Sequence, residues 1–467
     1  MLCYHAATVP STCPAAAFAA RLGRLLLAAT LAASGAGCAP GGSADVPPAR
    51  HSVLLIVVDA LRADRIGAAG YPLPTTPHLD QLAAEGVLFR NAYAPSTWTK
   101  PSMTSLFTSL YPSEHGMASL GRVRERDFAT GRLPRSTETV AERFQAGGWS
   151  TFALVNQVHL QRKLGFAQGF DRYAWRRGLN AFGLNRIARD WLEGRDERPY
   201  FAWVHYLDPH WPYDSRLADE AGRFGSTVLD DPPPSRLEAV DAWVERGLDA
   251  DQLAALSARY DQEVALVDAA IGELLADFER SGQRDSAWVV VTADHGEGFL
   301  EHGRLKHSYA PYEEVARVPL IIAPPAGLEL PRGERSTPVS LVDLAPTLLD
   351  LAGAEPFESA RGESLRPILE GREDPGRPVF LQTGEAWGIR AASSKLLAFR
   401  DGSLELYDLD ADPGETVNLA AEGCDGTCEE LHRQLRRFRA GLLVAGETEE
   451  EALDEADLEE LRALGYL

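Results

Sequence analysis

The chain has 467 residues, and 68 acidic against 46 basic side chains give it a formal net charge of −22. This excess of negative charge repels polyphosphates and argues against a general nucleic-acid-binding protein. With 41 Gly and 30 Pro, the composition also excludes collagen-like and low-complexity chains. The length suits about two or three domains with a large buried core.

The first 37 residues contain no acidic side chain and are typical of a secretory signal peptide. Two arginines precede an apolar run, 25–35, which is too short to span a bilayer, where about 20 residues are needed. Two small residues and Cys38 follow, and they resemble a bacterial lipoprotein signal with cleavage before Cys38 and a lipid on its sulfur. We predict a signal peptide at 1–37 and a linker at 38–50, with plain secretion and a retained anchor as alternatives.

Two uninterrupted apolar runs rich in β-branched residues, 52–58 and 287–292, predict strands buried on both faces of a parallel sheet. The first run ends at Asp59, and the second leads into Asp294 and His295. Ligands of open α/β sheets bind at the carboxyl ends of the strands. We therefore expect these side chains to meet, although they are far apart in the sequence.

The remaining pattern alternates predicted strands with predicted helices, which indicates an α/β fold. The predicted helices are 79–85, 137–147 and 249–281, and the further strands are 151–155, 200–206 and 318–322. From residue 376 short antiparallel strands are predicted at 379–383, 395–400 and 404–409, before a helical tail. The predicted domains are therefore 51–375 and 376–467. In the second domain, a disulfide between Cys424 and Cys428 is expected in an oxidising compartment.

Four side chains form a candidate reactive cluster: Asp59, Thr99, Asp294 and His295. Two carboxylates and an imidazole at strand ends can hold a divalent cation. A hydroxyl bound to such a cation loses its proton more readily and becomes a nucleophile. Taken singly, each has a structural alternative, since Thr99 or Asp59 could cap a helix and Asp294 could belong to a turn.

Several short motifs follow one another along the chain from residue 52 to the end. They include Val57-Val-Asp-Ala-Leu-Arg-Ala-Asp64, Thr75-Thr-Pro-His-Leu-Asp80, His205-Tyr-Leu-Asp-Pro-His-Trp-Pro212, Thr292-Ala-Asp-His-Gly-Glu297 and Glu405-Leu-Tyr-Asp-Leu409. In this order they resemble the sulfatase-type members of the alkaline phosphatase superfamily. The resemblance implies a large, mostly parallel central sheet flanked by helices, with a smaller C-terminal α+β subdomain.

The resemblance also implies roles for particular residues. Thr99 falls where the family keeps its nucleophile, and His210 matches a histidine that binds a substrate oxygen. The implied metal ligands are Asp59, Thr99, Asp294 and His295; the implied catalytic residues are Thr99, Lys100, His210 and His307; and the implied substrate-binding residues are His302 and Lys306. In the stretch 302–307, His307 fits the family's histidine near the leaving oxygen, and Lys306 could supply the positive charge there instead.

The departures from the family pattern bear on the chemistry. Sulfatases that oxidise their nucleophile to formylglycine carry Cys or Ser there, whereas this chain has Thr99-Lys-Pro-Ser-Met103. A secondary alcohol cannot give that aldehyde, and Met103 replaces the usual arginine. Ala60 replaces the usual second acid, and His295 favours zinc or manganese over calcium. We expect one divalent metal ion; a second site at Asp208, His210 and His307 is left open.

Three functions are compatible with these observations. The favoured one is a metal-dependent hydrolase or transferase that cleaves a phosphate ester, with a phosphodiester preferred, through a Thr99 nucleophile. The alternatives are a sulfuric ester hydrolase using unmodified Thr99, and a catalytically weak envelope lipoprotein that binds anionic glycans. The expected partner is an anionic ester of small-molecule, lipid or glycan type. The expected location is the periplasm or cell envelope, with a lipid anchor at Cys38.

Overall fold

The computed structural model describes residues 50–118, 122–124, 127–213, 224–225, 237–372, 376–445, 449–464 and 466. The predicted signal peptide, the anchor residue Cys38 and all but the last residue of the predicted linker lie outside these described residues. Among the helices that the structure describes, none combines the length and apolar character needed to cross a bilayer.

The strands and helices lie close to the predicted positions. In chain order the strands are β1 (Ser52–Val58), β2 (Val87–Tyr93), β3 (Arg122–Arg124), β4 (Asp127–Gly131), β5 (Ser150–Val155), β6 (Arg172–Trp175), β7 (Tyr200–Tyr206), β8 (Ala287–Ala293), β9 (Gly298–Phe299), β10 (Leu305–Lys306), β11 (Arg317–Ala323), β12 (Gly333–Arg335), β13 (Val339–Ser340), β14 (Val379–Gln382), β15 (Ala386–Ala391), β16 (Ser394–Phe399), β17 (Leu404–Asp408) and β18 (Glu450–Ala452). The α-helices are α1 (Pro77–Glu85), α2 (Thr99–Thr108), α3 (Pro112–His115), α4 (Val140–Ala146), α5 (Ala181–Gly194), α6 (Leu237–Glu245), α7 (Ala250–Arg280), α8 (Glu313–Ala316), α9 (Leu344–Ala352), α10 (Arg366–Leu369), α11 (Thr427–Ala440) and α12 (Glu455–Ala463).

A large, mostly parallel sheet forms the centre of the fold, as the sequence predicts. Its strand order is β12-β2-β11-β8-β1-β7-β5-β6, with β13 also paired to β2. The central strands β8, β1, β7 and β5 run parallel, whereas β11 is antiparallel to both of its neighbours. Every residue of β1, β7 and β8 is buried. This explains the uninterrupted apolar runs, because side chains on both faces of these strands pack into the core.

Two groups of helices pack beside this sheet. Helix α7 contacts α1 and α5, and α9 contacts α2 and α4. Helix α7 begins one residue after Asp249, which forms a capping box with Gln252, and it ends before Ser281, so the prediction of 249–281 holds closely. Helix α4 is shorter than predicted because Thr139 caps its N-terminus.

The C-terminal subdomain is an antiparallel sheet, β14-β15-β16-β17, covered by α11. Strand β15 was not predicted, because Gly388 and Arg390 interrupt its apolar pattern; Gly388 lies where a side chain would press on Leu381 and Leu397. The predicted disulfide between Cys424 and Cys428 is present. Beyond α11 the chain returns, and β18 pairs with β4.

Replacing Asp268 by alanine is expected to lower the free energy of unfolding by about 1–3 kcal/mol. Asp268, on α7, accepts hydrogen bonds from the backbone N–H groups of His78 and Leu79, at 3.0 and 2.9 Å, at the start of α1. Both backbone donors, of which that of Leu79 is buried, would lose their partner. Urea unfolding of both variants measures the change, with the exposed Glu279→Ala on the same helix as a control expected within about 0.5 kcal/mol of the parent. Equal effects of the two substitutions would contradict this assignment.

Candidate active site

Asp59 and Asp294 meet because β1 and β8 are adjacent and parallel. The residues before them, Val58 and Ala293, are register partners, so both carboxylates leave the same edge of the sheet. Both side chains are fully buried. His295 joins them: its Nε2 lies 3.4 Å from Asp59 Oδ1 and 3.6 Å from Asp294 Oδ2. The structure therefore brings together the three side chains that the sequence places at strand ends.

The hydrogen bonds of His295 determine which atoms face each other in this cluster. Its Nδ1 donates to the carbonyl of Gly296 at 2.8 Å, so in a neutral ring Nε2 presents a lone pair. Asp59 Oδ1 and Asp294 Oδ2 are buried and have no hydrogen-bond partner among the described residues. Burial, and then the charge of Asp294, raises the pKa of Asp59 well above its ordinary value. Two carboxylate oxygens and an imidazole nitrogen thus direct lone pairs at one another, and a divalent cation bound between them would satisfy all three.

His205 is a further candidate ligand that sequence reasoning missed. It lies near the end of β7, in register with Val57 of β1, and its Nε2 is 3.9 Å from Asp294 Oδ2. Neither of its ring nitrogens has a hydrogen-bond partner among the described residues. Asp59, His205 and Asp294 each offer a ligand atom, all within 4.8 Å of one another. The available signal was a lone histidine near the end of an otherwise apolar strand.

Thr99 is the first residue of α2, and its hydroxyl points to the same cluster. Its Oγ1 lies 3.3 Å from His295 Nε2, and the side chain is fully buried. The N-cap position of α2 is occupied by Trp98, without a side-chain cap, so Thr99 is not the capping residue that the structural alternative required. Ser102, one turn later, donates from Oγ to the carbonyl of Asp294 at 2.6 Å and ties α2 to the end of β8.

Lys100 points elsewhere. Its Nζ donates to Thr130 Oγ1 and lies 5.4 Å from the centre of the Trp98 ring. Burial lowers the pKa of Lys100 to about 7. None of these contacts links Lys100 to the carboxylates of Asp59 and Asp294, and its predicted catalytic role gains no support from them.

His210 and His307 converge on one point beside Thr99. His210 Nδ1 donates to the carbonyl of Trp211 at 2.7 Å, and His307 Nδ1 lies 2.9 Å from Glu297 Oε1. Their Nε2 atoms both approach the hydroxyl of Tyr466, at 2.9 and 3.2 Å. Glu297, fully buried, is a second residue that sequence reasoning did not single out, although it closes the Asp294-His-Gly-Glu297 motif.

The other predicted residues are placed differently. His302 donates from Nδ1 to Glu314 Oε1 at 2.9 Å and from Nε2 to the carbonyl of Glu415 at 3.2 Å, and its ring stacks on Tyr312. Both of its ring nitrogens are thus engaged away from the Thr99 cluster. Lys306 is buried and donates to the carbonyl of Leu464 at 3.4 Å.

The sequence left open a second metal site at Asp208, His210 and His307, and among the described residues these three side chains do not form a group with ligand atoms within 4.8 Å of one another. His210 and His307 are close, with ring centres 4.9 Å apart. Asp208, however, accepts a hydrogen bond through Oδ2 from the backbone N–H of Ala181 at 3.1 Å, at the start of α5. This carboxylate oxygen therefore stabilises the N-terminus of α5.

Comparisons with known proteins identify the relatives of this chain. The family described as Sulfatase matches residues 51–354, and the family described as N-sulphoglucosamine sulphohydrolase, C-terminal, matches residues 301–441. An uncharacterised sulfatase of Escherichia coli (strain K12) is 28% identical over 436 residues, which cover 79% of this chain and 83% of that protein.

An N-acetylglucosamine-6-O-sulfatase of Bacteroides thetaiotaomicron is 25% identical over 479 residues, covering 79% of this chain and 82% of that protein. The crystal structure of a phosphonate monoester hydrolase of Agrobacterium radiobacter superposes with a TM-score of 0.69 at 22% sequence identity. The superposition covers 84% of this chain and 96% of that one, and it supports the same α/β fold with a C-terminal subdomain.

Proposed function

Because the chain belongs to the sulfatase family of hydrolases, we propose that it cleaves an anionic ester through Thr99, with a phosphodiester as the favoured substrate. The observation that carries this proposal is the buried Thr99 hydroxyl, which lies 3.3 Å from His295 Nε2 and does not cap its helix. A hydroxyl at the start of a helix, beside two carboxylates and an imidazole, is placed to act as a nucleophile.

The proposed metal ion would be held by Asp59, Asp294 and His295, with His205 as an additional ligand. Asp59 Oδ1, Asp294 Oδ2 and the His205 ring nitrogens have no hydrogen-bond partner among the described residues, and His295 Nε2 lies 3.4 Å from Asp59 Oδ1. Two carboxylate oxygens with imidazole nitrogens suit zinc or manganese. When bound, such an ion lowers the pKa of a coordinated hydroxyl and offsets negative charge on the ester oxygens. Met103 and Ala60 remain departures from the calcium-dependent, formylglycine pattern.

The roles of the other side chains follow from their hydrogen bonds. In the proposed reaction, Thr99 Oγ1 forms a bond to phosphorus while the bond to the leaving oxygen breaks, and the proton of the Thr99 hydroxyl passes to Nε2 of His307, which donates it to the leaving oxygen. His307 Nδ1 donates to the carboxylate of Glu297 at 2.9 Å. Burial, and then the charge of His295, lowers the pKa of His307 well below its ordinary value, so its neutral ring presents the Nε2 lone pair that takes up this proton. Burial, and then the charge of His307, lowers the pKa of His210 well below its ordinary value, so its Nε2 is an acceptor. Water would then open the phosphothreonine.

The identity of the nucleophile supports phosphate over sulfate. Residue 103 is a fully buried methionine, so this position supplies no cation to hold a formylglycine hydrate. A threonine phosphate is opened by water attacking phosphorus, whereas a threonine sulfate opens slowly. The sulfuric ester alternative is favoured by one specific observation, the similarity to an enzyme named as an N-acetylglucosamine-6-O-sulfatase. A sulfated glycan is therefore the second candidate substrate.

Turnover of matched aryl esters distinguishes these candidates. We expect a bis-aryl phosphodiester to be cleaved at least about 100-fold faster, as kcat/KM, than the aryl sulfate, a difference of roughly 2.7 kcal/mol in transition-state stabilisation. Acid quenching during turnover, followed by peptide mass spectrometry, should find a phosphoryl group on Thr99. The aryl phosphate and phosphonate esters complete the series, each with zinc, manganese or calcium restored after chelation.

Two results would contradict the proposal. Preferential cleavage of the aryl sulfate, with a sulfated Thr99, would establish the sulfuric ester alternative. An absence of turnover on every ester, with retained binding of an anionic glycan, would instead support the binding lipoprotein. Mass spectrometry of the N-terminal peptide from the expressed full-length chain tests the proposed export, because cleavage before Cys38 and lipidation change the mass of that peptide.

A further inference from the structure

Tyr466 is inserted into the candidate active site from the far end of the chain. Its hydroxyl lies 2.9 Å from His210 Nε2, 3.2 Å from His307 Nε2 and 3.4 Å from Thr99 Oγ1. The ring is 5% exposed and packs edge-on against His159, with ring centres 4.5 Å apart. One phenolic oxygen therefore contacts the proposed nucleophile and both of the histidines proposed to handle substrate oxygens.

This oxygen occupies the space that a reacting ester needs. A nucleophile attacks from about 3–3.5 Å, so the phosphorus or sulfur of a bound ester must lie near that distance from Thr99 Oγ1. The Tyr466 hydroxyl lies within the same range, at 3.4 Å. It also fills the space beside Nε2 of His210 and of His307, where the ester and the attacking water would lie. An ester placed between Thr99 and these two histidines would therefore overlap the Tyr466 hydroxyl.

The segment that leads to Tyr466, which we term the strap and which the structure describes over residues 449–464 and 466, is fixed by specific contacts. Strand β18 pairs with β4, and α12 follows. Asp457 on α12 is buried and receives hydrogen bonds from Gln161, Lys163 and Arg177. The carbonyl of Leu464 accepts a hydrogen bond from Lys306, one of the predicted substrate-binding residues.

We propose that the strap is an autoinhibitory element, with Tyr466 acting as an internal competitor that the anionic group of the substrate must displace. The inference rests on the proposed function for the position of the ester. Binding then requires the open state of the strap, so the apparent dissociation constant of an anion is the intrinsic value divided by the open fraction. Anything that weakens strap docking raises the affinity for anions without altering a residue that binds them.

Calorimetric binding of inorganic phosphate and of sulfate to the full chain, loaded with zinc or manganese, tests this inference. We expect Tyr466→Ala to tighten binding at least about tenfold, and Tyr466→Phe, which keeps the ring but loses the hydroxyl contacts, to have a smaller effect in the same direction. Asp457→Asn, which weakens the anchor without touching Thr99, should also tighten binding. The exposed Glu459→Gln on the same helix is the matched control and should match the parent.

Hydrogen exchange supplies a readout that a purely structural strap would not change. Adding phosphate to the parent protein should increase amide exchange in 455–464 while protecting α2. Unchanged or weaker anion binding in both Tyr466→Ala and Asp457→Asn would overturn the inference and make Tyr466 a part of the substrate site. Tighter binding without ester turnover would support the strap and reject the catalytic proposal. Turnover with no change in affinity would retain the catalytic proposal and reject the strap.

Discussion

Thr99→Ala is expected to reduce kcat/KM for the preferred ester by at least about 10³-fold, or roughly 4 kcal/mol in transition-state stabilisation. The substitution removes the Oγ1 atom that would form the covalent bond, and neighbouring side chains cannot replace it. Ser102, the next hydroxyl on α2, is committed to the carbonyl of Asp294 at 2.6 Å. Initial rates with the substrate found in the ester series, together with the loss of the phosphorylated peptide, measure the effect.

Two matched variants separate the loss of the nucleophile from damage to α2. Thr99→Ser keeps a hydroxyl at the same position and should retain measurable turnover. Thr108→Ala removes another buried threonine from the same helix and should leave the rate nearly unchanged. Its hydroxyl donates to the carbonyl of Thr104 at 2.7 Å and accepts from the backbone N–H of Leu110 at 3.3 Å, away from the Thr99 cluster. If Thr99→Ala and Thr108→Ala slowed turnover equally, the nucleophile would lie elsewhere.

Asp294→Asn is expected to abolish stoichiometric metal binding and to lower turnover by about 10³-fold. Asp294 Oδ1 accepts the backbone N–H groups of Ala60 and His295, at 3.2 and 2.9 Å, and these bonds orient the side chain. An asparagine that keeps them must place its N–H₂ group where Oδ2 now faces His295 Nε2. A donor there repels a cation, while the size of the side chain is unchanged.

Elemental analysis of the purified variant, after dialysis against zinc or manganese, measures this effect directly. Asp285→Asn, an exposed substitution just before β8, is the control and should keep the parent metal content. His205→Ala tests the ligand that the structure adds, and a weaker metal affinity is expected. Full metal content in Asp294→Asn would disprove the proposed site.

The sequence predicted the centre of the fold and the meeting of its acidic residues for a simple physical reason. Strands buried on both faces leave a continuous apolar run, and parallel strands deliver their carboxyl ends to one edge of the sheet. Asp59 and Asp294 could therefore be paired without knowledge of the strand order. In the structure, the backbone N–H of Ala60, next to Asp59, donates to Asp294 Oδ1 across 234 positions.

His205 and Tyr466 could not be found in this way. The position of His205 matters only because β7 is the neighbour of β1, and the order β8-β1-β7 is not encoded in the apolar pattern of any one strand. Tyr466 reaches Thr99 because Asp457 docks on Lys163 and Arg177, residues that lie 294 and 280 positions earlier in the chain. The contact of His302 with Glu314, twelve residues away, was also not foreseen from the sequence, and its substrate-binding role stays a prediction.

The complete burial of α2 restricts how this region can vary during evolution. All ten residues from Thr99 to Thr108 are buried, so the helix has no solvent-facing side on which substitutions are neutral. Each exchange there changes the packed volume or leaves a hydrogen-bonding group without a partner, and both are costly in a close-packed interior. Replacing a smaller nucleophile by threonine at position 99 therefore requires compensating changes around it. New substrate preferences are more readily acquired through the surrounding loops.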